Sequence, residues 1–377
     1  MSILYATRSI LPSKAANSVQ SAHMAIALNK KLPGIPVVYR SGQAKAESAQ
    51  HFSFYGLKVP SGVVPIKTRL FEDAHHSYLL SFSLFLKKAS NHNLVYTRST
   101  RMAWVAVKMG RKVVLELHDP LIPIRCRFLN HSFTTGHLKL LIATTDRLKR
   151  DVIENVGIPE DKILVAGGAA SRDYLKLSPT PLKERSTFRG HIGYAGSALS
   201  GKGVEIILQC AEAIPDIAFH IIGPSTKECN KIKGAGRIGK NVILHGFLPG
   251  HQVVPILKSM DALLLPNQPS IIIRSGADIG QHTSPLKLFE YMACNRPIIA
   301  SDVSVFSGIL RNEENALLIP AANTQAYCQA VERLLENNLL ASNLALVSLR
   351  EFEQKYTWDT RVEKIVYFMN KNGISLD

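Results

Sequence analysis

Residues 282–302 read HTSPLKLFEYMACNRPIIASD, in the order polar loop, helix, turn and buried strand. Thr283, Ser284 and Pro285 form a helix start, a hydroxyl N-cap followed by a proline whose fixed φ suits the first turn. Leu286, Leu288, Phe289, Met292 and Ala293 then recur at helical spacing, and Asn295 to Pro297 end the helix. Ile298, Ile299 and Ala300 make a short apolar strand. Lys287 and Glu290, three residues apart, are the only charges on the helix. Two readings fit. One is an amphipathic helix with a charge pair on its wet face. The other is an anion site, where free amides and a dipole worth ~0.3–1 kcal/mol hold a phosphate near Lys287, with Glu290 one turn on. A phosphate joined to a hydroxylated sugar is the natural guest of the second.

Working outward, 377 residues suffice for two domains with full cores, and 46% apolar residues suit a globular α/β chain. The five cysteines are scattered without CxxC spacing, which predicts free thiols in a reducing compartment. The N-terminus lacks the build of a signal peptide and no run reaches the ~20 apolar residues of a membrane span, so a cytoplasmic protein is expected. Charge is lopsided: residues 1–185 hold 27 Lys+Arg against 12 Asp+Glu, and residues 186–377 hold 18 against 17. No nucleic-acid-binding motif and no interleaved aromatic and basic run is present, which leaves an anionic membrane surface as the preferred partner of the basic half. The segment Ser77–Lys88, apolar and aromatic with a lysine exit, fits either an interfacial helix or a buried one.

The chain alternates strand and helix from its start. Strands are expected at Ile3–Thr7, Ile35–Tyr39, Asn93–Thr97, Lys112–Leu117, Leu138–Ala143 and Lys162–Val165, with a helix after Pro12 that turns Ala16, Val19, Met24, Ala27 and Leu28 inward. Residues 176–190 are rich in Pro, Ser and charge and read as a linker. The alternation restarts at His191–Ala195. The expectation is an α/β chain of two Rossmann-like, doubly wound domains, 1–185 and 186–355, with a terminal helix in 356–377.

The wording and order of SPLKLFEYMACNRPIIASD resemble the donor-site signature of the family 4 (group 1) retaining glycosyltransferases. The resemblance implies glycosyltransferase-B architecture, with the two domains facing across a cleft and the last helix crossing back to the first. It implies a nucleotide-sugar donor, a saccharide or lipid-linked saccharide acceptor, and a place in lipopolysaccharide or other cell-surface polysaccharide synthesis. Lys202, Lys287 and Glu290 fall on the family's donor motif, the lysines toward the diphosphate and Glu290 toward ribose hydroxyls. Thr283 and Ser284 offer amides and hydroxyls. Where the family commonly carries Glu-x7-Glu, this chain has His282, with Arg274 just upstream; where it often has an arginine in the first turn of the second domain, this chain has Ser197. Phe247 and Leu248 lie in the loop whose main chain the family uses to read the nucleobase. His118 falls where the family has a histidine near sugar and departing phosphate, an oxyanion or sugar-hydroxyl partner. Lys14, Asn17 and Arg98 are acceptor-side candidates, Lys14 equally a solvated lysine at a helix start.

Two motifs are decoys. Gly196–Lys202 satisfies GxxxxGK but continues with Gly203 in place of the Ser or Thr that a P-loop uses to hold magnesium; what survives is a glycine-rich strand-to-helix turn with a lysine at a helix start, a phosphate site. Gly234–Gly239 satisfies GxGxxG without a preceding strand. No Asp-x-Asp occurs, so neither a metal nor another cofactor is expected, and charge on a leaving diphosphate falls to the lysines. Alternatives on the same fold are a nucleotide-sugar epimerase, a phosphorylase or a non-catalytic sugar-nucleotide-binding module.

Overall fold

Apolar runs of four to six residues bounded by turns become fully buried parallel strands, because helices cover both faces of each sheet. The computed structural model describes residues 2–42, 47–66, 74–89, 91–183, 185–234, 238–272, 278, 280–282 and 286–375, with the side chains of 74–78 left aside. The first sheet comprises β1 (Ile3–Leu11), β2 (Val37–Ser41), β3 (Val63–Ile66), β4 (Leu94–Thr97), β5 (Lys112–Leu117), β6 (Leu138–Ala143) and β7 (Ile163–Val165), all parallel, in the order β3-β2-β1-β4-β5-β6-β7. Its helices are α1 (Ala16–Lys31), α2 (Ser48–Ser53), α3 (Ala74–Lys88), α4 (Thr100–Lys108), α5 (Pro123–Thr134) and α6 (Asp146–Val156).

The second sheet comprises β8 (Gly190–Ala195), β9 (Ile217–Ile222), β10 (Val242–Gly246), β11 (Ala262–Leu265), β12 (Ile298–Ser301) and β13 (Leu317–Ile319), again parallel, in the order β10-β9-β8-β11-β12-β13. Around it lie α7 (Val204–Ala213), α8 (Thr226–Gly234), α9 (Gly250–Leu257), α10 (Leu286–Met292), α11 (Thr324–Glu336) and α12 (Asn338–Lys355). Strand periodicity sorts the core: Leu263, Leu265, Ile298 and Ala300 pack on one face, Ala262, Leu264 and Ile299 on the other. Both sheets have the doubly wound order, whose switch points fall between β1 and β4 and between β8 and β11. Ligands of such folds bind beyond the carboxyl ends of the strands at those points.

The chain divides into two compact units, one of Met1–Gly168 with His282–Ser284 and Trp358–Asp377, the other of Ala169–Gln281 and Pro285–Thr357. The last helix, α13 (Trp358–Lys371), packs on α1 within the first unit. Residues 169–185 group with the second unit, not with the first-domain span 1–185, and the stretch expected to be a linker is docked there. Tyr174 is buried in the second unit's core, Thr180 N donates to Pro255 O at 2.9 Å, and Lys258 Nζ donates to Leu175 O and Leu177 O at 3.1 and 2.8 Å. Composition hides this because backbone carbonyls make the contacts.

The helix after Pro12 departs from its expected face. Ala16 is exposed, and the buried set includes Ser18, Gln20, Ser21 and His23 beside Met24, Ala25, Ala27 and Leu28. α13 covers a side that an amphipathic reading leaves to water, where His23 stacks on Trp358, while Ser21 faces β1 and joins the hydroxyls of Thr7 and Ser9.

Candidate active site

The turn after β8 lies at the second switch point. Gly203, the N-cap of α7, has φ +79°, and a Cβ there would stand 2.0 Å from Pro266 O. Only glycine fits such a left-handed position pressed against backbone. Gly201, at φ +82°, meets Ser270 O at 2.3 Å in the same sense, so the turn is fastened to the segment after β11. Tyr194 Oη donates to Ser197 O at 2.9 Å, which fixes the start of the turn through the Ser197 backbone. Lys202 ends it, and burial holds its ammonium below the usual lysine range.

α10 approaches this turn from the other side of the switch point. Tyr291 Oη accepts from Ala195 N at 2.6 Å, tying the helix to the last residue of β8. Asn295, at φ +54°, ends the turn that follows the helix, a left-handed position in which asparagine is tolerated. Lys287 is 9% exposed, and its Nζ lies 4.5 Å from the centre of the Tyr194 ring. Among the described residues that ammonium has no hydrogen-bond partner. Burial, and then the charge of Lys202, press its pKa well below the ordinary value. Glu290 is pushed up to about 7 by burial. Tyr174 belongs to the same corner: a Cβ at Gly250 would meet Tyr174 Oη at 2.6 Å and Glu290 Oε1 at 3.6 Å. Two crowded ammonium groups and a carboxylate that ionises reluctantly are unfavourable alone. An anion bearing hydroxyls relieves both.

Phe247 and Leu248 follow β10 and are half-buried, Leu248 against the core cluster that contains Tyr174. His245, just before them, runs into a buried ladder, with Nε2 2.9 Å from His220 Nδ1 and His220 Nε2 3.0 Å from His191 Nδ1. Burial, with the neighbouring His245 and His191, pushes His220 down to about 3. His282 groups with the first unit, its Nε2 3.0 Å from Asp151 Oδ2. Thr283, Ser284 and Arg274 lie outside the described residues. A helix, α8, runs through Gly234, where a dinucleotide-binding turn would require a preceding strand. A surface hollow bounded by Arg189, Asp261, Arg296 and Pro297 lies before β8, β11 and β12, at the amino ends of the strands.

In the first unit the structure brings His118, Arg98 and Asn17 together through residues that no local pattern singled out. His118 follows β5 and its Nε2 lies 2.6 Å from Glu116 Oε1. Gln20 Nε2 donates to the same oxygen at 2.7 Å, and Gln20 Oε1 accepts from Arg98 Nη1 at 2.6 Å. Arg98 Nη1 also donates to Asn17 O at 3.1 Å. Arg361 of α13 forms a buried ion pair with Glu116, Nη2 to Oε1 at 2.9 Å and Nη1 to Oε2 at 3.3 Å, and Tyr96 Oη donates to Oε2. These charges hold the Glu116 carboxyl well below its usual range against the opposing effect of burial. His118 is lowered to about 4, first by burial and then by Arg98. Lys14 is exposed on the loop before α1. Glu116 lies on the strand expected at Lys112–Leu117, but Gln20 and Arg361 carry no sequence signal beyond a polar residue amid apolar helix positions.

Residues 189–337 match the family model described as glycosyl transferases group 1. The chain is 24% identical over 219 residues to alpha-D-kanosaminyltransferase of Streptomyces kanamyceticus, covering 54% of this chain and 53% of that protein. It is 25% identical over 183 residues to the putative colanic acid biosynthesis glycosyltransferase WcaL of Escherichia coli K12, covering 47% and 43%. The chain thus spans about half the length of the curated relatives it matches. Among solved structures it is similar to Anabaena HepE in complex with UDP (TM-score 0.71, 15% identity, 98% of this chain and 100% of that one). It is also similar to sucrose-phosphate synthase of Thermosynechococcus elongatus (TM-score 0.74, 14% identity, 98% and 99%). Fold and match together give the class: two Rossmann-like domains of the glycosyltransferase-B fold, the second holding the residues that match the group 1 glycosyl transferase model.

Proposed function

We propose that the protein is a glycosyltransferase that takes a sugar from a nucleotide-sugar, with retention and without a metal. The observation that carries the reading is Lys287: a buried ammonium without a hydrogen-bond partner among the described residues, crowded by Lys202, one turn from a buried carboxyl. A diphosphate supplies the missing counter-charge, and ribose hydroxyls supply the donors that an ionised Glu290 needs. Lys202 and Lys287 meet the charge that grows on the leaving diphosphate, a preorganised role in a site sheltered from water. Ser197, Phe247 and Leu248 are assigned to the nucleotide side, Phe247 and Leu248 along the nucleobase. His282, Thr283 and Ser284 are assigned to the donor end before α10. Retention follows the family resemblance, with the diphosphate helping to deprotonate the acceptor on the same face. UDP is the first nucleotide to test, since the structurally similar HepE was solved with it.

His118 is assigned to a carbohydrate hydroxyl, with Arg98, Asn17 and Lys14 on the acceptor side. The acceptor is a saccharide or lipid-linked saccharide presented at the inner face of a membrane, in cell-surface polysaccharide or lipopolysaccharide synthesis. The first unit supports this with 26 Lys+Arg against 13 Asp+Glu. It also exposes Leu80 and Leu84 on α3 and Trp104 on α4 beside Lys87, Lys88, Arg101 and Lys108. Among the described residues no helix is long and apolar enough to cross a membrane. A thermal-shift screen of UDP, GDP, ADP and their sugars tests the reading, because a ligand that binds only the native state raises Tm. One nucleotide series should stabilise the protein, and Glu290→Ala should abolish turnover of its sugar while leaving the fold intact. Near-normal turnover in that variant would sink the donor-site assignment.

A further inference from the structure

We propose that Glu116 and Arg361 are positioning residues that hold His118 as the neutral Nε2–H imidazole, so that its Nδ1 is a hydrogen-bond acceptor for a carbohydrate hydroxyl. The inference rests on the proposed function for the identity of the ligand and on geometry for the rest. Glu116 is 2% exposed and its two oxygens face five donor contacts: Arg361 Nη2 and Nη1, Gln20 Nε2, Tyr96 Oη and His118 Nε2. A carboxylate paired with a buried guanidinium and surrounded this way carries no proton. It can only accept. The 2.6 Å contact with His118 therefore requires a hydrogen on Nε2.

The second ring nitrogen decides what His118 does. The guanidiniums of Arg98 and Arg361 oppose a positive imidazole, as burial does, while Glu116 favours it. Tyr5, Tyr96 and Asp119 also face this corner, the two tyrosines neutral because burial raises them far above neutrality. The balance leaves one proton on the ring, so Nδ1 keeps its lone pair. Among the described residues both contacts of the ring are at Nε2, to Glu116 Oε1 at 2.6 Å and to Gln20 Nε2 at a longer 3.4 Å, and none is at Nδ1. A ring in this state cannot donate from Nδ1 to an oxyanion; it can accept from a hydroxyl. Arg361 comes from α13, 245 residues along the chain from Glu116. It is fixed by Gly167 O at 2.6 Å and Ala166 O at 3.0 Å. The last helix thereby sets the protonation of a residue at the carboxyl end of β5.

Two-bond 15N–1H correlation spectra of the full-length protein with 15N-histidine read the tautomer directly. At pH 7 His118 should show the Nε2–H pattern and remain neutral down to about pH 5. An imidazolium or an Nδ1–H pattern would overturn the inference. Glu116→Gln removes the requirement for Nε2–H and should give mixed tautomers. Because it leaves Arg361 unpaired, the neutral pair Glu116→Gln/Arg361→Met is made beside it, and an unchanged pure Nε2–H pattern in the folded double variant would assign the tautomer to something other than this pair. Adding UDP-glucose and, separately, methyl α-glucoside tells a donor hydroxyl from an acceptor hydroxyl: one of them should move the Nδ1 resonance while Nε2–H stays. Stabilisation by UDP-glucose with Nδ1 unmoved by either compound defeats the hydroxyl role alone. Absence of any nucleotide-sugar binding defeats the proposed function, and with it the ligand named here, while the unliganded spectrum still decides the positioning.

Discussion

Glu290 and Lys287 sit on one short helix and bias stability with pH in opposite directions. Glu290 ionises near 4.5 in the unfolded chain and at about 7 in the fold, so between those values the folded state holds the extra proton. Its contribution is full below pH 4.5 and is lost as pH rises to 7. Glu290→Gln removes that loss: by calorimetry the variant should exceed the parent in stability at pH 8 by on the order of 2 kcal/mol, the gap closing toward pH 5. A gap that widens toward pH 5 would contradict it. In the proposed function an ionised Glu290 accepts from ribose hydroxyls, so UDP affinity of the parent should fall as pH drops below 7, by up to about tenfold per unit. Lys287 has the reverse sign. Its folded pKa is depressed, the unfolded chain binds more protons, and stability rises with pH toward the ordinary lysine value. Lys287→Met should therefore leave the unliganded protein as stable as the parent or more so, and erase the Tm increase given by UDP. A retained increase would move the diphosphate elsewhere. These residues were legible because they lie within one contiguous motif. The Glu116–Arg361 pair was not, since its partners are 245 residues apart and Arg361 carries no local pattern.

Elements were legible where burial is total. β5, β6, β9 and β11 fall on the same residues as their apolar runs, because a parallel strand covered on both faces needs only that run and two turns. α5 and α8 were missed: PIRCRFLNHSFT and TKECNKIKG bury two residues each, too few for a periodic signal. β13 has three residues and was missed for the same reason. The glycine-rich turn was legible in type, and its tightness came only with the segment after β11 pressed against it. Gly203→Ala places a Cβ 2.0 Å from Pro266 O at φ +79°. The variant should lose about 1–3 kcal/mol, a Tm drop of several degrees. Because the turn carries Lys202, UDP stabilisation should fall with it. A variant with unchanged Tm would show that the turn has room to relax.

At the scale of the whole molecule the sequence foretold an uneven charge, and the fold keeps it: the first unit stands at +13 and the second at +3, residues 358–377 adding three cations and three anions to the first. Charge alone draws a protein toward any polyanion. The exposed Leu80, Leu84 and Trp104 narrow the choice, since an apolar and aromatic set with flanking lysines suits the headgroup region of a bilayer. α3 and α4 pack together, and Leu80 with Leu84, like Trp104 with Lys108, share a helix face at spacing four. Each cation near an anionic surface is worth about 1 kcal/mol, and the attraction fades beyond a Debye length of about 8 Å at physiological salt. The full-length protein should therefore sediment with vesicles containing phosphatidylglycerol, less so at 0.5 M salt, and weakly with phosphatidylcholine alone. Lys108→Ala should lower the partition about fivefold, by removing one such charge. Trp104→Ser should lower it at low and high salt alike, because it removes apolar contact and no charge. Binding that is indifferent to both substitutions but sensitive to salt would leave electrostatics without this patch, and would place the lipid-facing surface on another part of the basic unit.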